Sequence, residues 1–305
     1  MLDIGLILAG NHEMTASLLA FCRRYADLHA DEFGVAMTPV PGLTIIRALH
    51  AGELQVAVNK PLIAMLLQGR KRVSSGSESH EYGPGEALVI SADAPTVSQI
   101  TNASLGAPYY ALVLELDPAI LRDLMAGGSA KRNPAHPVRI EPVDGDVADA
   151  ALRLVRLLDQ SDALTVLGAG LLRELHYWLL IGSHGDAIRR IGIVDSHAER
   201  IGRAVAILRR DYMQTIRVEQ LAAVTGMSEP AFHQHFREIT TLSPVQFQKQ
   251  LRLIEARRMM LAGGSRISQA AHAVGYQSIS QFTREYGRLF GAPPRRDIQK
   301  AKEQV

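Results

Sequence analysis

Two stretches of this 305-residue chain carry the same punctuation about fifty residues apart: VEQLAAVTGMSEPAFHQHFREI at 218–239 and ISQAAHAVGYQSISQFTREYGRLF at 267–290. In the first, Leu221, Ala222 and Val224 suit one short helix. Gly226 can take a positive φ and end it. Ser228 is a good N-cap, and Pro230 falls in a first turn, where backbone N–H groups have no helical partner anyway. Phe232, Phe236 and Ile239 then share one face of a second helix. The second stretch repeats these landmarks. Ala271 precedes Gly275 by four residues as Ala222 precedes Gly226, and Ser278 answers Ser228. Phe282 and Tyr286 follow Ser278 by four and eight, as Phe232 and Phe236 follow Ser228, and Pro244 and Pro294 each come eight residues after the second aromatic. The second turn is one residue longer. Two short helices joined by a tight Gly-containing turn describe a helix-turn-helix, and here the unit occurs twice.

Between the copies lies SPVQFQKQLRLIEARRMMLAGG, a helix expected over about 243–262, with Ser243 as cap and Gly263-Gly264 as stop. A 20-residue helix is about 30 Å long, and one turn of B-DNA is about 34 Å. A rigid helix of this length can therefore hold two recognition helices in successive major grooves. Charge points the same way. Residues 197–305 hold 17 Lys+Arg against 9 Asp+Glu, a net +8, whereas residues 1–196 hold 16 against 22, a net −6. The near-neutral total hides a basic end suited to a phosphate backbone.

These C-terminal hundred residues, through both repeats and the linking helix, resemble the DNA-binding domain of the AraC/XylS transcriptional regulators. His272, at a usually apolar position, and the Gly-rich GGSRIS entry are small departures. Stepping 100° per residue from Phe232 puts Pro230, Gln234 and Arg237 outward with His233 on the flank; in the second copy Ser280 and Arg284 point outward with Thr283 on the flank. The resemblance implies base contacts at the same outward positions and adds Ile279 and Gln281. Gln can pair bidentately with adenine and Arg with guanine, so Arg284 is the strongest base reader; Pro230 and Ile279 offer only apolar contact. Arg237, Arg252, Arg288 and Arg295 are candidates for phosphate contacts, which position without specifying. His233 and His235 form a His-x-His, but i and i+2 lie about 200° apart on a helix and cannot share a metal.

The first two-thirds read differently. Residues 11–34 are expected to be helical, with Leu18, Leu19, Phe21, Cys22 and Tyr25 on one side. Cys22, without a Cys-x-x-Cys or Lys-rich setting, reads as a small buried residue. From about 38 to 118 short apolar or alternating runs separated by Gly, Pro, Ser or Asp predict an antiparallel barrel or sandwich. The segments VPGLTIIR (40–47), LLQGRKRV (66–73), YGPGEALVIS (82–91) and YYALVLELDP (109–118) resemble the N-terminal domain of one AraC-type subgroup. That resemblance implies a cupin-like β-barrel. Residues 146–183 give two amphipathic helices, which by the same resemblance pack on the barrel and form a dimer seam.

The expected class is therefore α+β: a helical extension over 1–36, a cupin-like barrel with packing helices over 37–185, a linker over 186–197 and an all-α domain over 198–305. An eight-stranded barrel can hold one small ligand. Polar residues that would line it are His50, Gln68, Arg70, His80, Tyr82, Tyr109 and Tyr110. Catalytic cupins hold a metal through paired His and a carboxylate; the barrel segment has only His50 and His80, so neither a metal nor another cofactor is expected, and no catalytic residue stands out. A single Cys, the absence of an 18-residue apolar run, and a start, MLDIGLILAG, without a basic n-region lead to the expectation of a cytoplasmic protein with no membrane partner. The leading reading is a regulator of promoter DNA governed by a small-molecule effector, homodimeric, and contacting RNA polymerase if it activates. Two others remain open: a cupin enzyme fused to a DNA-binding domain, and a regulator whose barrel serves only dimerisation or partner contact.

Overall fold

The computed structural model describes residues 4–52, 55–75, 78–125, 138–193, 197–262 and 266–302. A long helix, α1 (Ile4–His29), leads into β1 (Val35–Met37), β2 (Leu43–Ala48), β3 (Gln55–Asn59), β4 (Leu62–Gln68), β5 (Arg70–Ser75), β6 (Glu78–Tyr82), β7 (Glu86–Ile90), β8 (Ala94–Asn102) and β9 (Tyr109–Glu115). A short helix α2 (Pro118–Leu124) and strand β10 (Val138–Pro142) follow, then α3 (Gly145–Arg156), α4 (Ser161–Ile181) and α5 (Gly185–Gly192). The strands form two antiparallel sheets, a six-stranded one in the order β1-β2-β9-β4-β7-β10 and a four-stranded one in the order β3-β8-β5-β6.

The large sheet is covered on both faces, and its central strands show it. β4, LIAMLLQ, is buried from Ile63 to Leu67, the continuous apolar texture of a strand with no wet side. Ala64, Leu66, Leu88, Ile90, Tyr109 and Ala111 face the small sheet and meet Val73, Tyr82 and Ile100 there. Ile63, Met65, Leu67, Val89, Leu112 and Leu114 face the other way, onto α1, α3, α4 and α5. Leu18, Cys22, Tyr25 and Ala26 of α1 lie in that second core, so the N-terminal helix is a structural layer of the domain. Burial pushes the Cys22 thiol far up, as expected of an inert packing residue. α4 is long and apolar enough to cross a bilayer by length and composition alone. Here it buries Leu172, Leu175, Leu179 and Leu180 in the helical core, and its Glu174 accepts both guanidinium arms of Arg153 on α3, at 2.9 and 2.6 Å.

The sequence reading placed a linker at 186–197, and the structure corrects it. Residues 185–192 form α5, which buries Ala187, Ile188 and Ile191 in the same core. The flanking Gly182 and Gly185 conceal an apolar face at i, i+1 and i+4. The connector shrinks to residues 193–196, of which 194–196 lie outside the described residues.

The C-terminal domain is all helical: α6 (His197–Arg210), α7 (Val218–Thr225), α8 (Glu229–Thr240), α9 (Pro244–Leu261), α10 (Ile267–Ala273), α11 (Ile279–Phe290) and α12 (Pro294–Lys302). The expected stop at Gly263-Gly264 lies outside the described residues. The domain has two aromatic cores, Phe232, Phe236 and Phe247 in one and Tyr276, Phe282, Tyr286 and Phe290 in the other, with α9 contributing to both. The small sheet docks against it. Val56 and Val97 pack into the second core and Val58 against the first, so β3 touches both halves of the domain. Arg209 of α6 pairs with Asp93 at 2.7 Å and donates to the carbonyl of Val58 at 3.0 Å.

Candidate nucleic-acid interface and barrel interior

Each helix-turn-helix is made by the residues that mark it in sequence. Gly226 ends α7 at φ 61°, with its N–H on the carbonyls of Ala222 and Ala223. Gly275 sits at φ 90°, where a Cβ would lie 2.4 Å from the carbonyl oxygen of Met213, so only glycine fits there. Ser278 accepts from the Gln281 N–H and caps α11. Ser228 occupies the matching N-cap position of α8 but makes no side-chain cap bond. Between them α9 begins with a full capping box, Ser243 and Gln246. Its 18 residues span about 27 Å, close to one helical repeat of DNA.

The buried faces are Phe232, Phe236 and Thr240 on α8 and Phe282, Tyr286 and Phe290 on α11. Pro230, His233, Gln234 and Arg237 are exposed on the opposite side of α8. Ser280, Arg284 and Arg288 are exposed on α11, as is Ile279 at 41%, while Gln281 is half-buried; Arg295 is exposed on α12. Arg252 stands apart from the other candidates. Its guanidinium donates to the carbonyls of Tyr212, Met213, Gln214 and Gly275 at 2.6–3.3 Å. Its donors are occupied in clamping the α6–α7 loop and the second turn onto α9, which corrects its expected role as a phosphate ligand.

A carboxylate organises each recognition helix, a feature that the sequence reading missed. The Gln234 amide donates to Glu238 at 2.9 Å, and the Gln281 amide donates to Glu285 at 3.1 Å. The spacing, i and i+4, was visible in both copies. An amide with one N–H held this way keeps its second N–H and its carbonyl, the pair that adenine requires. The surroundings of the two carboxylates differ. Glu285 is also bound by Lys249 at 2.8 Å and by the Tyr276 hydroxyl at 2.7 Å. Burial alone would raise the Glu285 carboxyl, but these hydrogen bonds outweigh it and hold the group below its ordinary range. Glu238 is more exposed and faces His235, 3.0 Å away, whose ring stacks on that of His197 at 3.8 Å. Among the described residues no group of three or more His, Cys, Asp or Glu side chains could hold a metal.

The barrel candidates separate by strand parity. Tyr82 and Tyr109 point into the space between the sheets and are almost wholly buried. Tyr110, next along β9, points the opposite way and donates to Asp27 of α1 at 2.7 Å. Adjacent strand residues cannot share a face, so Tyr110 is corrected from the interior to the helical layer. His80 lies opposite the buried Val73 on the edge strand β6, yet is exposed. Gln68 donates to the Pro108 carbonyl at 2.6 Å, His50 is exposed in the β2–β3 connection, and Arg70 is exposed at the start of β5.

Comparison with known proteins agrees with this two-part architecture. Residues 39–187 match the family described as the AraC-type transcriptional regulator N-terminus, and residues 221–300 match a helix-turn-helix domain family. The virulence regulon transcriptional activator VirF of Yersinia enterocolitica is 23% identical over 241 residues, 75% of this chain and 86% of that protein. The transcriptional activator RhaS of an Enterobacter strain is 25% identical over 146 residues, 47% of this chain and 51% of that one. Among solved structures, apo ToxT K231A of Vibrio cholerae covers 86% of this chain and 98% of its own, with a TM-score of 0.58 at 11% identity. Wild-type ToxT bound to an unsaturated fatty acid gives 0.56, with 86% and 97% covered at 11% identity. With both family matches in register with the two domains seen here, the chain belongs to the AraC family and is a DNA-binding transcriptional regulator.

Proposed function

We propose that the chain reads a promoter through both recognition helices and that a small molecule held between the two sheets sets its affinity for that DNA. The doubled helix-turn-helix, with its unpacked polar faces on one rigid α9, carries the first half of this reading. Pro230, His233 and Gln234 would meet bases in one major groove and Ile279, Ser280, Gln281 and Arg284 in the next. Arg237, Arg288 and Arg295 would meet phosphates. The docking of the small sheet on both helix-turn-helix cores supports the second half, because a ligand that binds one docked arrangement better than another shifts DNA affinity by that difference. The fatty acid bound by ToxT is a property of that protein, and it makes an apolar effector a reasonable class to test here. The exposed Val166, Leu167, Tyr177 and Ile181 of α4 support a homodimer, and a cytoplasmic location follows from a DNA target. An activator would in addition contact RNA polymerase.

The test is selection of genomic promoter fragments by the purified protein at about physiological salt with competitor DNA. Enrichment of a few fragments is the expected result and supplies the operator. Uniform, salt-sensitive retention of all fragments would overturn sequence-specific reading.

A further inference from the structure

Val73 of β5 is fully buried between the sheets. Residues two positions away on a strand share its face, so Lys71 and Ser75 also point inward. The pairing agrees: Lys71 stands opposite Tyr82 on β6 and opposite Ile100 on β8, and both belong to the inter-sheet core. A half-buried lysine thus points into the largely apolar space between the sheets. No carboxylate of a described residue pairs with it, and burial pushes its ammonium group down to about 8. Ser75 and Tyr82 are buried there as well, and neither the Ser75 Oγ nor the Tyr82 hydroxyl makes a well-formed hydrogen bond. The Tyr82 and Tyr109 hydroxyls lie against each other, and burial raises both. An unpaired cation beside unsatisfied hydroxyls is costly inside a protein unless something completes the set.

We propose that Lys71 is the anion anchor of the barrel, binding the carboxylate of an amphipathic monocarboxylic acid while its cross-strand neighbour Tyr82, and Tyr109 against it, donate to its oxygens. This rests on the reading of the barrel as the effector site. The apolar body of the acid would lie among Leu66, Ile90 and Ile100. One ammonium balances one negative charge, so a dianionic phosphate would leave a surplus in an apolar box. A sugar would need polar partners for many hydroxyls, whereas Leu66, Leu88, Ile90 and Ile100 make much of the inner face apolar. The exposure of His80, on the same face of the edge strand, marks the side on which the interior meets solvent. The anchor is also one strand from the DNA-binding domain. Lys71 pairs with β8 at Ile100, and Val97 of the same strand packs, from the outer face, into the second helix-turn-helix core.

The test is calorimetric titration of the full-length protein, without DNA, with decanoate and with decan-1-ol as the neutral chain of equal length. Decanoate should bind saturably at pH 7. Lys71→Met keeps the side-chain length and removes the charge; it should weaken decanoate at least tenfold and change decan-1-ol binding less than twofold. Tyr82→Phe, which deletes a single hydroxyl, should weaken decanoate several-fold. Wild-type affinity should fall as pH rises from 7 through 8 to 9, as the ammonium deprotonates, and the Lys71→Met profile should be flat. Circular dichroism of both variants checks the fold. Absence of saturable decanoate binding by the wild type, equal affinity for decan-1-ol, or undiminished decanoate binding by folded Lys71→Met would each overturn the proposal. Decanoate binding that leaves DNA affinity unchanged would instead keep the carboxylate site and remove its effector role.

Discussion

Arg284 and Glu285 are sequence neighbours on α11 with opposite assignments. Arg284 projects from the helix into solvent, while Glu285 turns back toward α9 and gathers Lys249, Tyr276 and Gln281. The two are separable by mutation. Arg284→Ala should cost about 1–3 kcal/mol on the cognate site and relax the preference at one base position; equal losses on every sequence, measured by competition binding, would make Arg284 a phosphate contact instead. Glu285→Ala removes the shared acceptor of three donors and should lower unfolding stability by about 1–3 kcal/mol. Its pH dependence has a definite sign. Because the folded carboxyl titrates below its ordinary value of 4.5, its contribution is present above that pH and is lost as pH falls through the folded value. Denaturant midpoints of wild type and Glu285→Ala should therefore differ at pH 7 and converge in acid. A constant difference down to pH 3 would show that the ionised carboxylate contributes nothing.

At the scale of elements, α4 has two faces. Leu172, Leu175 and Leu179 are buried in the core, while Val166 is 78% exposed and Ile181 53% exposed on the opposite side. Val166, Tyr177 and Ile181 fall within about 60° of one another at 100° per residue, a stripe wide enough to seat a second copy of the same helix. Tyr177→Glu should convert a dimer to a monomer in sedimentation velocity while the far-ultraviolet circular dichroism stays unchanged, since nothing in the core changes. A wild-type profile that is already monomeric at tens of micromolar would remove α4 as a seam. The elements differ in how openly the sequence announced them. The two helix-turn-helices were legible because their turns demand Gly226 and Gly275 and their cores demand spaced aromatics, all local signals. The strands were legible as apolar runs between turn residues. Their facing needs a fixed register: once one residue is placed, parity along β9 separates Tyr109 from Tyr110 and parity along β5 sends Lys71 inward with Val73. α5 was hidden because its apolar face is brief and flanked by glycines. The Arg252 clamp and the docking of β3 depend on residues 23 to 40 or more positions apart meeting in space, and no local pattern encodes that.

Across the whole molecule, charge is segregated between an acidic N-terminal part and a basic C-terminal part, and the ion pair of Arg209 with Asp93 lies at the seam between them. The seam is specific as well as electrostatic. Val56 and Val58, two residues apart on β3, reach different helix-turn-helix cores, and Arg209 ties α6 to Asp93 and to the β3 backbone. The small sheet therefore braces both halves of the reading head against α9. The candidate base readers on α8 and α11 remain turned to solvent in this docked arrangement, apart from the half-buried Gln281. Docking therefore leaves these side chains unburied, and bracing both cores would fix the separation of the two recognition helices before binding. Loosening the seam should weaken binding by returning that orientational freedom to the unbound protein. The Arg209–Asp93 pair is partly exposed, with side chains 28% and 18% accessible, so solvent screening keeps its worth near about 1 kcal/mol. Asp93→Ala should raise the operator Kd several-fold at fixed salt, with little effect on the single-groove affinity of either helix-turn-helix, read from half-site probes. An unchanged Kd on the full site would mean that the seam does not set affinity, whereas a lower Kd would mean that docking restrains the DNA-binding domain and that its release, not its bracing, is the step an effector controls.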